Sequence, residues 1–399
     1  MKMNRQLIAL GSLLAAGMAA TWFAPAASAD VPGFRAEFLG DSGGIAAMNE
    51  AGVVVGTGTS GGSLRAWFAA SGTPMTFLPL PAGMTSSWAT DINDAGVIVG
   101  AVSEAYSPEF GGQAVAWFPD GQGGWDIELL GTIPGHVSGN ATALNNLGDI
   151  VGYSSNGTYR YPVLFTDPDG VMDLSFTGIF DPQDVNDRRM VVDRSFIAKR
   201  LDLNTMAAEE LGLPEGSYLA TSGFAINESD QVAGVAILTT STDCDRQAAR
   251  FTDGVGWEIL STCGKYNGAE DMNDHGDVVM RLNLAPWVLL EGEGTFRIED
   301  LITEGNGHWY VINSFGLAIN NSRQMAVWAK NLTTGQNGAV LLTPMGVVPG
   351  DANADGVVDI DDIFAVLGAW GPCGGCPEDV TGDGLVNIDD IFEVLGNWS

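Results

Sequence analysis

The chain has 399 residues and a formal net charge of −32, from 17 Lys and Arg against 49 Asp and Glu. So few cations cannot neutralise a phosphate backbone, and this excludes a nucleic-acid-binding protein and argues against docking on an anionic membrane. Hydrophobic residues make up 45% of the chain and 54 residues are Gly, which favours a folded all-β protein with many turns over a disordered acidic polymer.

The first 29 residues predict an export signal. Lys2 and Arg5 form a basic start, residues 7–20 are mostly apolar, and Ala-Ser-Ala at 27–29 fits the small-x-small rule for cleavage. An uncleaved membrane anchor is the alternative, but the apolar run is short for a span, and no later segment is long enough to cross a bilayer. We therefore expect a secreted protein, extracellular or on the surface of a bacterium, that begins at Asp30 and does not insert into a membrane.

Seven repeats organise residues 34–345. Each is anchored on an Asn that follows an apolar residue: Asn49, Asn93, Asn145, Asn186, Asn227, Asn273 and Asn320. The Asn opens a four-residue turn, such as Asn-Asp-Ala-Gly at 93–96, and an apolar pair follows the turn. Asn at the first turn position bonds its own backbone, and Gly at the fourth position tolerates positive φ. The pattern predicts a β-hairpin in which the repeated Asn is structural rather than catalytic.

Two further strands complete each repeat. One has an Ala-Trp-Phe type of core, as at 66–68 and 116–118, and is degenerate in the fourth repeat around Ile197-Ala198; the other ends in Leu, from Phe77-Leu78 to Asp300-Leu301. Four short strands in about 45 residues are the period of a propeller blade. The seventh repeat lacks its last strand, whereas Ala36–Leu39 supplies an extra one at the start.

Pairing that first strand into the last repeat would close a ring and remove the open sheet edges. We therefore predict an all-β, seven-bladed β-propeller over residues 30–346, followed by a small α-helical calcium module at 347–399. An open β-solenoid is the alternative. The segment Ile92–Gly100, Ile-Asn-Asp-Ala-Gly-Val-Ile-Val-Gly, resembles the HAF-type extracellular repeat family. The resemblance covers most of residues 34–345 and is loose in repeats four, five and seven. It implies export and a propeller-like fold, and no specific activity.

The last fifty residues carry two Asp-rich loops of twelve residues that are 28 residues apart. Ca²⁺ takes six to eight oxygen ligands, and an EF-hand-like loop supplies them from positions 1, 3, 5, 7, 9 and 12, with Gly at position 6. The spacing therefore predicts two calcium ions, whose ligands would be Asp351, Asn353, Asp355, the Val357 carbonyl, Asp359 and Asp362 in the first loop, and Asp379, Thr381, Asp383, the Leu385 carbonyl, Asn387 and Asp390 in the second. A solvated acidic tail is the alternative.

A helix is predicted behind each loop, at 360–370 and 388–398, and the two are identical at nine of eleven positions. Each carries an apolar stripe, formed by Ile363, Phe364, Val366 and Leu367 in the first and by Ile391, Phe392, Val394 and Leu395 in the second. Each loop ends in Asp and has no clear helix before it. In both respects the module resembles a type I dockerin, in which half of an EF-hand is used twice. That resemblance implies a cohesin-like protein or another cell-surface anchor as the partner, bound by Ile360, Asp361, Ile388 and Asp389.

Four cysteines in an exported chain predict two disulfides, and three pairings are possible. We expect the two local ones, Cys244–Cys263 and Cys373–Cys376. The segment Gly-Pro-Cys-Gly-Gly-Cys at 371–376 also resembles the GC-type dockerin variant. Zinc would need two more ligands there, and haem attachment would need His in place of Pro377.

The sequence contains no catalytic signature such as Gly-x-Ser-x-Gly, His-Glu-x-x-His, a P-loop or a dinucleotide-binding glycine pattern. Its three histidines, His136, His275 and His308, fall in turns or Gly-rich loops. We therefore expect a non-catalytic binding or structural protein that is assembled through a calcium-dependent dockerin-like module. The alternative is a carbohydrate-active enzyme, a polysaccharide hydrolase or lyase carried by the dockerin, with a glycan as its ligand.

Overall fold

A computed structural model describes residues 33–104, 112–166, 170–239, 244–305, 307–312 and 316–345, and in the C-terminal segment residues 352, 358, 360–372, 378, 380–381, 385–396 and 398. The predicted export signal at 1–29 lies outside the described residues. Within the described ranges, no helix has the length and apolar character that a membrane span requires.

Six repeats each form a four-stranded antiparallel sheet in which neighbouring strands are consecutive in the chain. We number these sheets as blades 1 to 6. Their strands are Gly44–Met48, Val54–Ser60, Ser63–Ala69 and Thr76–Phe77 in blade 1; Ser86–Ile92, Ile98–Ser103, Gln113–Pro119 and Trp125–Leu129 in blade 2; Ser138–Leu144, Ile150–Ser155, Arg160–Thr166 and Gly170–Asp173 in blade 3.

Blades 4 to 6 continue the same order. Their strands are Pro182–Val185, Met190–Asp193, Lys199–Asp202 and Ala207–Glu210 in blade 4; Tyr218–Ile226, Val232–Leu238, Arg246–Thr252 and Gly256–Ile259 in blade 5; Gly268–Met272, Val278–Leu282, Ala285–Leu290 and Gly294–Arg297 in blade 6. Short 3-10 turns occur at Ser175–Thr177 and Ile298–Leu301.

The seventh blade closes the ring. The C-terminal part of the propeller supplies the strands Trp309–Ile312, Ala318–Ile319, Met325–Asn331 and Asn337–Pro344. The strand Phe34–Gly40, from the N-terminal end, is added outside them. That strand pairs antiparallel with the last one, Phe34 opposite Pro344 and Phe38 opposite Val340, and Ile302–Glu304 adds to its outer edge. The predicted closure by residues 36–39 is confirmed. The fold is therefore a closed seven-bladed propeller rather than an open solenoid.

Apolar side chains between neighbouring blades stabilise the ring. Blades 1 and 2, for example, share a core in which Val55 and Ala66 pack with Ile98, Val115 and the fully buried Trp117. Burial of a large side chain contributes about 1.5–3 kcal/mol. Because every blade packs on the next and the seventh packs on the first, this contribution is repeated around the ring.

The hairpin turns confirm the local role predicted for the repeated Asn. In blade 1 the Asn49 carbonyl accepts the Gly52 N–H at 3.0 Å, and Gly52 has a φ of 74°. The fourth turn position of blades 4, 5 and 7 also has positive φ but is not Gly: Arg189, Asp230 and Arg323 lie at 58–67°. L-residues are strained in that region, so the three repeats that match the consensus poorly use backbone strain where the others use Gly.

Two predicted strand positions were wrong. The last strand of blade 6 is Gly294–Arg297, and Asp300-Leu301 belong to the 3-10 turn that follows it. The third strand of blade 4 begins at Lys199, after Ile197-Ala198. In both repeats the apolar residues that suggested a strand lie next to it in the sequence. The bounds of the strand are set by its hydrogen bonds to the neighbouring strand, which the hydrophobic pattern does not show.

The C-terminal segment contains the helices Ile360–Gly368 and Ile388–Gly396 and a small ladder between Gly371–Pro372 and Leu385–Val386. Its core is small, with Val358, Val366, Val386 and Val394 among its buried residues. The predicted apolar stripe of each helix divides between two environments. Val366 and Val394 are buried, whereas Phe364 and Phe392 are 60% and 62% exposed.

Candidate functional site

The seven repeated Asn side chains form a closed ring of hydrogen bonds at one face of the propeller, which we call the Asn-turn face. The Nδ2 of each Asn donates to the backbone carbonyl of the Asn in the next blade at 2.8–3.3 Å, and Asn320 donates to Asn49. Each Oδ1 accepts the N–H four residues further on at 2.8–3.0 Å. All seven are buried, so both ends of each amide are satisfied inside the protein.

A second ring of side chains lies at the same face. It surrounds the mouth of the central channel that the innermost strands of the blades enclose. It consists of the residue after each Asn: Glu50, Asp94, Asn146, Asp187, Glu228, Asp274 and Asn321. Each of these side chains accepts the N–H of its equivalent in the preceding blade at 2.7–3.0 Å. Desolvation raises the pKa of Glu50 and of Glu228, and repulsion from neighbouring carboxylates, including Asp274, acts in the same direction.

Below the mouth, the innermost strands enclose a channel with a volume of about 260 Å³. Three of its lining residues are Asp91, Asp184 and Asp271, in blades 2, 4 and 6. Each carboxylate accepts the N–H of the residue after it and an N–H of the next blade, at 2.8–2.9 Å. Burial raises the pKa of all three, that of Asp271 to about 7, and repulsion from Asp184 adds to the shift of the other two.

The channel carboxylates follow an alternation that the sequence analysis missed. The residue two positions before the repeated Asn is Asp in blades 2, 4 and 6 and Ala in blades 1, 3, 5 and 7. Each Asp therefore serves its own blade and the Ala blade that follows it. The β-bulge in the first strand explains why these residues reach the channel, since the ladder slips one residue between Ala89 and Asp91 and at the equivalent places. The signal was visible as Asp-apolar-Asn in every second repeat.

The channel does not fit a directly chelated metal ion. Within the described part of the chain, no group of three or more His, Cys, Asp or Glu side chains converges closely enough to hold one. The carboxylates act instead as acceptors for backbone N–H groups. Glu270, beside them, forms an ion pair with Arg281.

In the second C-terminal loop, predicted calcium ligands converge on Asp390. Its carboxylate accepts the Thr381 N–H at 3.0 Å, the Thr381 hydroxyl at 2.9 Å and the Asn387 N–H at 2.7 Å. Desolvation opposes ionisation of Asp390, but the hydrogen bonds from Asn387 and Thr381 outweigh it and lower its pKa. The Asn387 Nδ2 lies 3.3 Å from the Leu385 carbonyl. Loop positions 3, 7, 9 and 12 thus lie together, and all of them offer the oxygen donors that Ca²⁺ prefers.

The other predicted ligands have mixed outcomes. Asp362, at position 12 of the first loop, is buried at the start of its helix, as Asp390 is in the second. The remaining ligand positions lie outside the described residues: Asp351, Asn353, Asp355, Val357, Asp359, Asp379 and Asp383. Cys373 and Cys376 also lie outside them.

The residues expected to bind a partner lie at the start of the two helices. Ile360 and Ile388 are 49% and 48% exposed. Asp389 is exposed and its N–H donates to the Asn387 Oδ1 at 2.7 Å, while the side chain of Asp361 lies outside the described residues. One helical turn further on, Phe364 and Phe392 extend each exposed apolar position into an exposed stripe.

The predicted Cys244–Cys263 disulfide is confirmed, with the two Cα atoms 5.1 Å apart. It joins the residues that flank the last two strands of blade 5. The histidines take part in local contacts: His275 Nε2 lies 2.9 Å from the Asn321 carbonyl, and His136 Nδ1 lies 2.9 Å from the Ser154 hydroxyl.

Six four-stranded blades and a seventh blade that the N-terminal strand closes surround a polar channel and define a seven-bladed β-propeller. No family model matches the chain, and no curated protein matches it. An oligogalacturonate lyase from Vibrio parahaemolyticus is similar in structure, with 10% identity, a TM-score of 0.50, and coverage of 79% of this chain and 91% of that one. An oligogalacturonate lyase in complex with manganese is 10% identical, with a TM-score of 0.49 and coverage of 73% and 86%.

The extracellular domain of a one-component system from B. thetaiotaomicron is 9% identical, with a TM-score of 0.47; the match covers 79% of this chain and 40% of that one. The chain therefore spans less than half of the length of that relative. At identities this low, the likeness concerns the fold alone.

Proposed function

We propose that the protein is an exported, non-catalytic propeller that is anchored or assembled through a calcium-dependent, dockerin-like C-terminal module. The arrangement around Asp390 carries this proposal. One carboxylate there gathers loop positions 3 and 9 at the start of a helix, and the same helix sequence follows the equivalent loop of the first half. Two loops of this design would hold two calcium ions.

The chemistry of the donor set supports calcium over other metals. The predicted ligands are carboxylate, amide, hydroxyl and carbonyl oxygens, which suit a hard cation. From Asp351 to Ser399 there are eleven acidic residues and no Lys or Arg, so the loops repel one another unless a cation is bound. Bound calcium would also fix the helices that carry the exposed stripes, and so make partner binding depend on the metal.

A cohesin-like protein or another cell-surface anchor is the proposed partner of those stripes. Ile360 with Asp361, and Ile388 with Asp389, would contribute one docking face each. The two halves are nearly identical, so either face would serve. The module would thereby hold the protein outside the cell or on its surface, where the predicted export signal would deliver it.

The propeller supports a binding rather than a catalytic role. Its channel carboxylates each accept two backbone N–H groups and so complete the fold. The oligogalacturonate lyase likeness does not extend to activity, because it concerns the fold alone. Release of reducing ends or unsaturated products from a panel of polysaccharides would instead favour the carbohydrate-active enzyme.

Calorimetric titration of the full chain with Ca²⁺ tests the proposal. We expect two ions per chain, and one ion for each of Asp351→Ala and Asp379→Ala. Asp389→Asn is the matched control, because Asp389 lies in the second loop–helix unit but is not a proposed ligand; it should retain both ions. Binding of fewer than two ions by the unaltered chain, or no loss in the Ala variants, would contradict the proposed sites.

Anchoring is tested separately on cell envelopes of the source organism. The labelled chain should be retained in calcium and released by EDTA. Changing Ile360 and Asp361 should leave retention nearly intact, and changing Ile388 and Asp389 as well should abolish it. Complete loss from the first pair alone would contradict two equivalent faces.

A further inference from the structure

The most exposed aromatic side chains of the described propeller cluster in two adjacent blades. Tyr159, Phe176, Phe180 and Phe196 are 64–71% exposed, whereas Tyr266 and Tyr310 are 49% exposed. All four lie opposite the Asn-turn face, because they occupy the connections that enter the first strand or join the second to the third. We call these four residues the aromatic rim. Exposed apolar groups in such a cluster mark interaction sites.

Hydrogen bonds fix the loops that carry the rim. The buried Asp193 carboxylate accepts the Phe180 N–H at 3.2 Å and the Asp181 N–H at 2.6 Å, and it also accepts the Ser195 hydroxyl. In blade 3 the Asn156 Oδ1 accepts the Tyr159 N–H at 2.9 Å. The rings are therefore presented on ordered loops, and a ligand would lose little free energy in organising them.

Arg160 directly follows Tyr159 and begins the third strand of blade 3. The Arg160 guanidinium stacks on Tyr153, 4.4 Å from the ring centroid. Among the described residues Arg160 has no ion-pair partner, although acidic residues greatly outnumber basic ones in the chain. Its own blade offers few acidic partners, because Asp149 is the sole acidic residue between 129 and 166. That Asp follows the Asn turn, at the other end of the blade.

We propose that the aromatic rim binds an anionic polysaccharide, a chain of sugars that carry carboxylates. Flat rings on two successive blades match the apolar faces of successive pyranose units, while Arg160 offers the planar donor pair that recognises a carboxylate. A guanidinium stacked on a ring is already oriented for that role. The exposed position of the rings, on connections rather than in a closed cavity, suits a linear polymer.

An acidic peptide fits the rim less well. A peptide must find partners for its backbone N–H and C=O groups, and the rim offers aromatic rings rather than a free strand edge. Sugars expose hydroxyl groups that remain solvated at the edges of the rings. The same rings and the Arg160 guanidinium therefore favour the glycan.

The acidic mouth ring lies at the face opposite the rim. The seven-residue strand Arg160–Thr166 spans about 23 Å at about 3.3 Å per residue. The acidic mouth ring lies beyond its other end, about three Debye lengths away at physiological ionic strength, where the Debye length is about 8 Å. Repulsion from that ring is therefore screened.

The inference deepens the proposed binding role of the propeller and does not use calcium. Electrophoresis of the full chain through native gels that contain polygalacturonate, alginate, a neutral glucan or polyglutamate, all in EDTA, tests it. We expect the two polyuronates to retard the protein. Arg160→Gln and Phe180→Ala should each weaken retardation at least tenfold, and added salt should weaken it further.

Arg246→Gln is the matched control. Arg246 is exposed, begins the third strand of blade 5 as Arg160 begins that of blade 3, and lies on the same face. It should bind as the unaltered chain does. Thermal melts establish that each variant is folded.

Several outcomes would overturn the rim proposal. They are no retardation of the folded chain by either polyuronate, equal loss in Arg246→Gln, or retardation by polyglutamate that is as strong. Equal binding of the neutral glucan with no effect of Arg160→Gln would also contradict it. None of these results bears on the calcium titration, so failure here and failure of the proposed anchoring are distinguishable.

Discussion

The propeller and the C-terminal segment both repeat polar side chains at a fixed spacing, but the two regions provide interaction partners for these side chains in different ways. In the propeller, each repeated Asn bonds to its own turn and to the next blade, and the ring closes on itself. In the described part of the C-terminal segment, four predicted ligands of the second loop lie close together, namely Thr381, Leu385, Asn387 and Asp390, and the core beside them consists of small apolar side chains. One region therefore carries its hydrogen-bond partners within the fold, while for the other we propose an external cation as the partner.

The two regions also differ in how they use negative charge. Carboxylates of the mouth ring and channel accept backbone N–H groups around the propeller. The loops of the C-terminal segment concentrate carboxylates and carry no Lys or Arg.

Deletion of residues 34–40 should have the largest effect. It removes the outer strand of blade 7 together with the buried Phe34 and Leu39, and loss of one large core side chain alone costs about 3–5 kcal/mol. We expect the cooperative melt of the propeller to be lost while calcium binding persists. Phe34→Ala is the milder version and should still fold. An unchanged melting temperature after the deletion would contradict closure by this strand.

Asn273→Ala should have the next largest effect. Its side chain donates to the Asn320 carbonyl at 3.0 Å and to Asp277 at 2.9 Å, and it accepts the Asp277 N–H at 2.9 Å. Loss of these buried bonds should lower the free energy of unfolding by about 2–4 kcal/mol in urea titrations. Asn321→Ala, at a half-buried position of the mouth ring, should cost less than about 1 kcal/mol. Equal costs would show that the inner ring has no special role.

The pH dependence of the propeller's free energy of unfolding should be a smaller effect than these substitutions. Its sign is unusual, because the stability should increase as the pH falls. The pKa of Asp271 is about 7 in the folded protein, compared with about 3.9 in an unfolded chain. The folded state therefore binds this proton more tightly, and its contribution to stability increases as the pH falls from about 8 towards about 4. Asp91, Asp184 and Glu270 shift in the same direction.

Allowing for water in the channel, we expect the propeller to gain about 1–2 kcal/mol between pH 8 and pH 5.5. Asp271→Asn should reduce that dependence. Urea titrations of both proteins across this range measure it. A propeller that loses stability as the pH falls from 8 to 5.5 would contradict the account of the channel.

The sequence predicted those parts of the structure that repeat. Seven Asn turns, the blade period and the orphan strand at residues 36–39 were sufficient for the closed ring, because each repeat tests the others. The sequence also indicated the local pair Cys244 and Cys263, which the hairpin of blade 5 brings together. Calcium ligation remains a prediction for both loops.

Features set by one repeat only, or by tertiary contacts, were missed. The Asp91, Asp184 and Asp271 alternation occurs in three repeats of seven and serves contacts between blades. The aromatic rim lies in connections, where exposure depends on the surrounding loops rather than on periodicity. The helix stripe divided because hydrophobicity alone does not say which apolar residue faces the core, as Phe364 and Val366 illustrate.

Differential scanning calorimetry of the full chain, in calcium and in EDTA, tests the central comparison most directly. We predict two transitions in calcium: a large one from the propeller and a small one from the C-terminal segment. EDTA should abolish the small transition together with the helical signal of residues 360–368 and 388–396, because the free energy of metal binding is there the free energy of folding. The propeller transition should stay in place. A small transition that persists in EDTA, or a propeller transition that falls with it, would contradict the account.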